Sequence, residues 1–257
     1  MLAAVVWGLI QGLTEFLPVS SSGHLVVIPA FLSKLGVGVA PPDLAVSAVL
    51  HLGTLVAVLA FFRADVAKVL RLRTDEEGRR IAVLVGVGTI PAVIGLAVDD
   101  SLELFQETAS NVGWALVATG VILIIGGRMA TGDRELRDGR VADAMAVGFA
   151  QAFALIPGIS RSGLTISAGN SRRLAPVEAA RFSFLLGIPA IAGAGATQAP
   201  ELIGAGRLGL DLVVGFAVAA VSGYFAIAWL LTALRRTGLA PFAAYCLLAG
   251  FLTVLTL

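Results

Sequence analysis

The sequence predicts an all-α membrane protein of six transmembrane helices plus two re-entrant helical hairpins, arranged as an inverted-topology repeat. Three observations carry that expectation. Of 257 residues, 58% are hydrophobic and only 14% charged, against about a quarter charged in soluble domains, and mean hydropathy is +0.93. Six long apolar segments contain no Asp, Glu, Lys or Arg. Two further apolar regions are broken at their middles by polar residues, proline and glycine, and they resemble each other.

A membrane helix needs about 20 largely apolar residues, with a lower limit near 17. The segments 45–62, 81–98, 112–127, 182–199, 212–234 and 237–257 meet or approach that length. Pro91 and Pro189 fall inside two of them, and neighbouring helices can re-satisfy the backbone groups they free. The first broken region has apolar arms at 2–10 and 25–32, and the second runs from 144–150 into a polar stretch between Pro157 and Thr165. Arms of under ten residues reach only about half of a 30 Å hydrocarbon core at 1.5 Å per residue. The expected form is therefore helix in, loop, helix back out, with the loop buried in protein or lining a wet cavity.

A shift of 140 residues lays Gly8 on Gly148, Gln11 on Gln151, Ser20 on Ser160, Ser22 on Ser162 and Gly23 on Gly163. Each hairpin precedes three spans. The single membrane domain 1–257 thus divides into a first repeat, 1–130 with its hairpin at 1–32, and a second, 142–257 with its hairpin at 142–170. Three spans are an odd number, so the second half must be inverted, an architecture known from transporters.

Fourteen of the eighteen basic residues fall on one side: Arg63, Lys68, Arg71, Arg73, Arg79, Arg80, Arg128, Arg134, Arg137, Arg140, Arg172, Arg173, Arg235 and Arg236. Lys34 and Arg207 fall on the other, and Arg161 and Arg181 lie in or near the second hairpin and the helix after it. The positive-inside rule places the fourteen in the cytoplasm. The N-terminus, the first hairpin and the acidic loop 99–107 are then extracytoplasmic, in a multi-pass plasma-membrane protein. The N-terminus lacks the basic region and cleavage site of a signal peptide, so Met1 onward reads as mature protein. A net charge of +1 gives no reason to expect nucleic acid as a partner. The single cysteine, Cys246, excludes an internal disulfide and a CxxC metal pair, and reads as a small core hydrophobe.

The chemistry-bearing residues sit in the broken regions. Gln11 and Glu15 are four apart and share a helix face. Pro18 ends that helix, and Ser20, Ser21, Ser22, Gly23 and His24 follow. The second region reads Pro157, Gly158, Ile159, Ser160, Arg161, Ser162, Gly163, Leu164, Thr165. Its hydroxyls, loop amides and guanidinium are the parts of an oxyanion site, and arginine matches phosphate bidentately. A glutamate and an arginine placed deep in a membrane are costly unless paired or functional. The repeat divides them: Leu155 and Leu164 stand where the first half has Glu15 and His24, and Ser21 stands where the second has Arg161. One half supplies acid, base and nucleophile types, and the other supplies the anion grip. His51, the only other histidine, reads as a packing residue near the hairpin. Glu178 and Arg181 are spaced for an i,i+3 pair.

These motifs resemble those of the undecaprenyl-pyrophosphate phosphatase family, the bacitracin-resistance type. Its (E/Q)xxxE motif stands here as Gln11 to Glu15, its PVSSxGH stretch as Pro18 to His24, and its PGxSRSxxT motif as Pro157 to Thr165. Length and span pattern agree, so the resemblance covers essentially the whole chain. It implies hydrolysis of a C55-type polyprenyl diphosphate to the monophosphate carrier lipid and inorganic phosphate. The divalent cation it implies, Mg2+ or Ca2+, would be held by Glu15 and Gln11. Gln11 occupies a position where glutamate is frequent and leaves one carboxylate fewer for the metal. Ser21 and His24 match the family's active-site serine and histidine. Arg161 matches the phosphate-binding arginine, with Ser20, Ser22, Gly158, Ser160, Ser162 and Thr165 around the phosphate. The expected partners are the polyprenyl diphosphate lipid and the bilayer. The sequence allows a homodimer without fixing the oligomeric state. A lipid flippase binding the same headgroup is the alternative, since inverted repeats with broken helices also build transporters.

Overall fold

The structure is a computed structural model and describes residues 1–38, 40–96, 108–204 and 209–257. The end of the span expected at 81–98, the acidic loop 99–107 and Arg207 lie outside these. The described residues form eleven α-helices and no strand: α1 (Leu2–Phe16), α2 (Ser21–Lys34), α3 (Leu44–Phe61), α4 (Arg63–Leu70), α5 (Glu76–Leu96), α6 (Ala109–Arg128), α7 (Val141–Phe153), α8 (Arg161–Ser171), α9 (Pro176–Gly204), α10 (Leu210–Arg236) and α11 (Ala240–Thr256).

Five helices, α3, α5, α6, α9 and α10, are long and apolar enough to cross a membrane. Only 33% of the most apolar window of α3 is buried, and 39% of that of α10. The outward positions carry Val56, Trp114, Val221, Phe225 and Trp229. Such a surface is matched to hydrocarbon rather than water, and the chain is a multi-pass membrane protein. The sixth expected span, 237–257, shortens to the 17 residues of α11, because Gly238 turns the chain at φ 67° and Pro241 begins the helix.

The broken regions also differ from expectation in length. Their arms are the 15-residue α1, 14-residue α2, 13-residue α7 and 11-residue α8, not arms of under ten. Apolar runs alone set the expected bounds. Gln11 and Glu15 continue α1 because their shared face is buried inside the protein. The eight-residue α4, with Arg63, Asp65 and Lys68 among its residues, is too short and too charged to stand out as a helix beforehand.

Both regions are built by the same devices. Gly8 of α1 packs on α10 so closely that a β-carbon there would stand 2.7 Å from the Gly215 carbonyl oxygen. Gly148 of α7 packs on α5, where a β-carbon would stand 2.4 Å from the Gly88 oxygen. Small residues let membrane helices approach to backbone contact. At the turns, the Ser20 hydroxyl accepts from Gly23 N–H at 3.2 Å and lies 3.3 Å from the Ser22 hydroxyl. Ser160 accepts from Gly163 N–H at 3.1 Å and lies 3.2 Å from Ser162. These are N-caps of α2 and α8, each satisfying an otherwise orphaned amide.

The two turns meet inside the bundle. Ser162 donates to the Leu17 carbonyl at 3.2 Å, and Gly158 N–H donates to the Ser22 hydroxyl at 3.5 Å. Thr119 of α6 fixes the second turn, donating to the Gly158 carbonyl at 3.3 Å and accepting from Ser160 N–H at 3.1 Å. Phe16 stands edge-on to Phe184 of α9 at 5.5 Å, both fully buried, and forms the apolar floor beneath the turns.

Charge gathers at one end of the bundle. Arg181 of α9 pairs with Asp65 of α4, with Glu77 of α5 at 3.0 Å and with Glu178 at 3.1 Å. The expected Glu178–Arg181 pair therefore belongs to a larger cluster. Glu178 also accepts from Leu136 N–H at 3.0 Å, and Arg80 donates to the Gly139 carbonyl at 3.0 and 2.6 Å. Asp143, in the first turn of α7, pairs with Arg134 at 2.8 Å and Arg172 at 2.9 Å. Burial alone would push its carboxyl up, but the Arg140 N–H and the two guanidiniums together hold it below the usual carboxylate range.

Candidate active site

Glu15, at the buried end of α1, is the hub. Its Oε2 accepts from Ser21 Oγ at 2.7 Å and from Gln11 Nε2 at 3.0 Å. Its Oε1 accepts from Arg161 Nη2 at 2.7 Å. The carboxylate is thus shared between a serine at the start of α2 and an arginine at the start of α8, joining the two halves. Burying a charged pair costs several kcal/mol per ion unless the geometry supplies further hydrogen bonds; here Ser21 and Gln11 supply them.

Local backbone geometry aims these groups. Ser20, the residue before α2, adopts φ 71° and ψ 103°, a left-handed conformation that is strained for a side chain with a β-carbon. Such strain concentrates at functional sites, where the surrounding structure holds it. The conformation lets Ser20 cap α2 while Ser21 reaches back to Glu15. Gly158, at φ 88°, makes the matching bend in the second turn. Its α-carbon would lie 3.3 Å from a β-carbon on Gly23.

Arg161 is held by an absence. Gly187 of α9 lies against its guanidinium, and a β-carbon at Gly187 would stand 2.0 Å from Nη1. Gly187→Ala is expected to push the guanidinium off Glu15 and lower turnover roughly a hundredfold, within the range for losing one preorganised donor. The helix should persist, since alanine is the stronger helix former. Steady-state kinetics beside a thermal melt checks both.

The other sequence-predicted residues fall close by in supporting positions. Ser20, Ser22, Ser160 and Ser162 hold the two turns together, as described above. Thr165 donates to the Arg161 carbonyl at 2.7 Å and lies 2.6 Å from the Ser183 hydroxyl, so it steadies the start of α8. Gln11 Oε1 is buried without a hydrogen-bond partner, as are both amide atoms of its counterpart Gln151.

The two histidines stand in different surroundings. His24 Nδ1 faces the Ser20 carbonyl at 2.7 Å, and its Nε2 lies 2.6 Å from the Tyr245 hydroxyl of α11. The rings stack at 5.7 Å, and both nitrogens have partners. His51 of α3 instead turns its Nε2 to within 3.9 Å of Glu15 Oε2. Its Nδ1 faces the Ser47 carbonyl at 2.8 Å; a carbonyl only accepts, so Nδ1 is the donor of that hydrogen bond. Beside His24 an apolar groove of about 360 Å³ runs between Leu13, Leu17, Val19, Trp229, Phe242 and Tyr245.

Sequence reasoning missed His51 as a neighbour of Glu15, Gly187 as the slot for Arg161, and Tyr245 as the partner of His24. His51 lies on a helix carrying no motif, yet a histidine within an apolar span was itself a signal of a polar neighbour.

A half-buried serine hydroxyl on a buried carboxylate, facing an arginine across two interlocked helix N-termini, is the equipment of a phosphoryl-transfer enzyme set in a membrane bundle. The chain belongs to the family described as bacitracin resistance protein BacA, which it matches over residues 4–252. Among its relatives, the undecaprenyl-diphosphatase of Carboxydothermus hydrogenoformans is 40% identical over 260 residues, spanning 99% of this chain and 96% of that one. That of Halothermothrix orenii is 38% identical over 252 residues, spanning 96% and 95%. That of Methanosphaera stadtmanae is 36% identical over 274 residues, spanning 99% and 97%.

Proposed function

We propose that this protein hydrolyses undecaprenyl diphosphate, or a polyprenyl diphosphate like it, to the monophosphate and inorganic phosphate. The reaction recycles the carrier lipid for cell-envelope polymers and confers resistance to bacitracin. The observation that carries this reading is Glu15, which accepts from Ser21 at 2.7 Å through one oxygen and from Arg161 at 2.7 Å through the other. Transport alone needs no such nucleophile, and the relatives named above are diphosphatases over nearly their full length.

In this reading Arg161 turns from Glu15 to the terminal phosphate, helped by the amides at the starts of α2 and α8, which favour anions. Ser21 Oγ attacks the terminal phosphorus as its proton passes to Glu15, the carboxylate it already donates to. The bond from phosphorus to the bridging oxygen breaks, and the prenyl monophosphate leaves. The proton on Glu15 passes to the departing monophosphate oxygen; water then attacks the phosphoserine and gives a proton to Glu15, which returns it to the Ser21 oxygen as the bond from phosphorus to that oxygen breaks and inorganic phosphate leaves. The groove beside Tyr245 receives the first isoprene units of the tail. His24, fixed by Ser20 and Tyr245, shapes the wall between groove and headgroup.

A divalent cation such as Mg2+ suits the donors present. Gln11 Oε1 is a buried oxygen with no partner, next to a carboxylate, and Mg2+ favours one or two carboxylates plus substrate oxygens. Glu15 and Gln11 would hold it, and it would neutralise charge on the phosphate oxygens.

The reading places the protein in the plasma membrane with its N-terminus outside and its basic loops in the cytoplasm. The arrangement is six spans and two re-entrant hairpins in an inverted repeat. The paired glycine crossings and paired serine caps support the repeat. The test is phosphate release from undecaprenyl diphosphate by purified protein in detergent, with and without EDTA. Release that EDTA abolishes is expected; a folded sample that binds the lipid and releases no phosphate in any divalent cation would overturn the reading.

A further inference from the structure

We propose that Tyr245 is a positioning residue for the reaction: through His24 it holds the turn that presents Ser21, and the same side chain walls the groove for the lipid tail. The role rests on the phosphatase reading above and deepens it.

The chain of contacts starts in the backbone. The Ser20 carbonyl and the Ser21 N–H belong to one peptide group, so whatever fixes that carbonyl fixes the first amide of α2. Two donors reach it, both from His24: the backbone N–H at 3.3 Å and ring Nδ1 at 2.7 Å. A carbonyl only accepts, so Nδ1 is the donor of the shorter bond. Ser20 needs such holding, because its φ of 71° is unfavourable for a residue with a β-carbon. His24 is only 7% exposed, so its other nitrogen also requires a partner. In the neutral ring Nε2 accepts, and the Tyr245 hydroxyl stands 2.6 Å away to donate. Turning the ring over would put carbon atoms where both bonds are made. Tyr245 therefore fixes the ring in the one orientation that holds the Ser20 carbonyl.

A second contact ties the same helix to the same turn. The neighbouring Cys246 is fully buried, and its thiol donates to the Pro18 carbonyl at 3.6 Å. The helix α11 thus holds the turn on both sides, at Pro18 before Ser20 and at His24 after it. Tyr245 itself is 45% exposed and lines the groove with Leu17, Trp229 and Phe242. Its ring is part of the groove wall, while its hydroxyl is on His24. A prenyl chain lying there covers the tyrosine, excludes water from the hydroxyl and strengthens the bond to Nε2. Tail binding and the setting of Ser21 therefore meet at one side chain. Loss of the hydroxyl alone should fall on kcat, since the ring that walls the groove remains.

The test is Tyr245→Phe in the purified full chain in detergent, read by two measurements. The chain has two histidines, so histidine labelled on its ring nitrogens and observed by nuclear magnetic resonance gives few enough signals to assign with His51→Gln. The His24 Nε2 resonance should move toward its free-imidazole position when the hydroxyl is lost, with helix content and elution volume unchanged. Phosphate release from undecaprenyl diphosphate should fall about tenfold in kcat, on the scale of one hydrogen bond, with KM within about twofold of the wild type. Tyr224→Phe, at the chain's other tyrosine, should change neither measurement. A His24 signal that stays in place, or an unchanged kcat, would overturn the proposal. A rise in KM alone would also overturn it and leave Tyr245 as a tail contact. A moved signal in a protein whose wild type releases no phosphate would keep Tyr245 as the anchor of the turn and sink the phosphatase reading instead.

Discussion

Arg161→Ala is expected to lower kcat by about a thousandfold or more, the scale on which arginines act in phosphoryl transfer. The side chain is the cation supplied by the second half to the centre, and its reach is fixed by Gly187 behind and Glu15 in front. Its removal also leaves the Glu15 carboxylate buried beside neutral groups, so part of any loss could arise from instability. Breaking one partner of a buried pair costs about 3–5 kcal/mol. The double variant Glu15→Gln with Arg161→Ala separates the effects. It should recover thermal stability, because the orphan charge is gone, and remain inactive. Near-normal turnover in Arg161→Ala would remove the arginine from the mechanism.

Ser21→Ala is expected to be comparably inactive, about a thousandfold down, but at little cost in stability. Ser21 is partly exposed, and Glu15 keeps Gln11 and Arg161 as partners. Acid quenching of wild type with substrate labelled in the terminal phosphate should leave label on Ser21. An unlabelled protein turning over normally would assign attack to water and reduce Ser21 to positioning it.

Sequence alone singled out Glu15, Ser21 and Arg161, which the structure brings together, because each lies in a local motif. Glu15 and Ser21 lie six residues apart, Arg161 lies in a motif of its own, and the 140-residue shift sets Leu155 against Glu15 and Ser21 against Arg161. It stopped where contacts are made by side-chain direction between distant helices. Nothing near His24 in the chain announces Tyr245, 221 residues away. Nothing in the α3 sequence says which face of the helix His51 takes. Gly187 lies in an apolar helix among several small residues, and only the guanidinium against it gives it meaning. The length of α1 was misjudged for a related reason. A buried polar face looks, in sequence, like the end of an apolar helix.

The charged cluster around Arg181 bears on how the molecule can move. Asp65 and Glu77 belong to the first half, and Arg181 and Glu178 to the second. The Arg80 bonds to the Gly139 carbonyl run beside them. Together they act as a hinge pin through one end of the bundle. Any separation of the two halves at that end has to break these bonds together, so the end that carries them resists opening more than a single pair would.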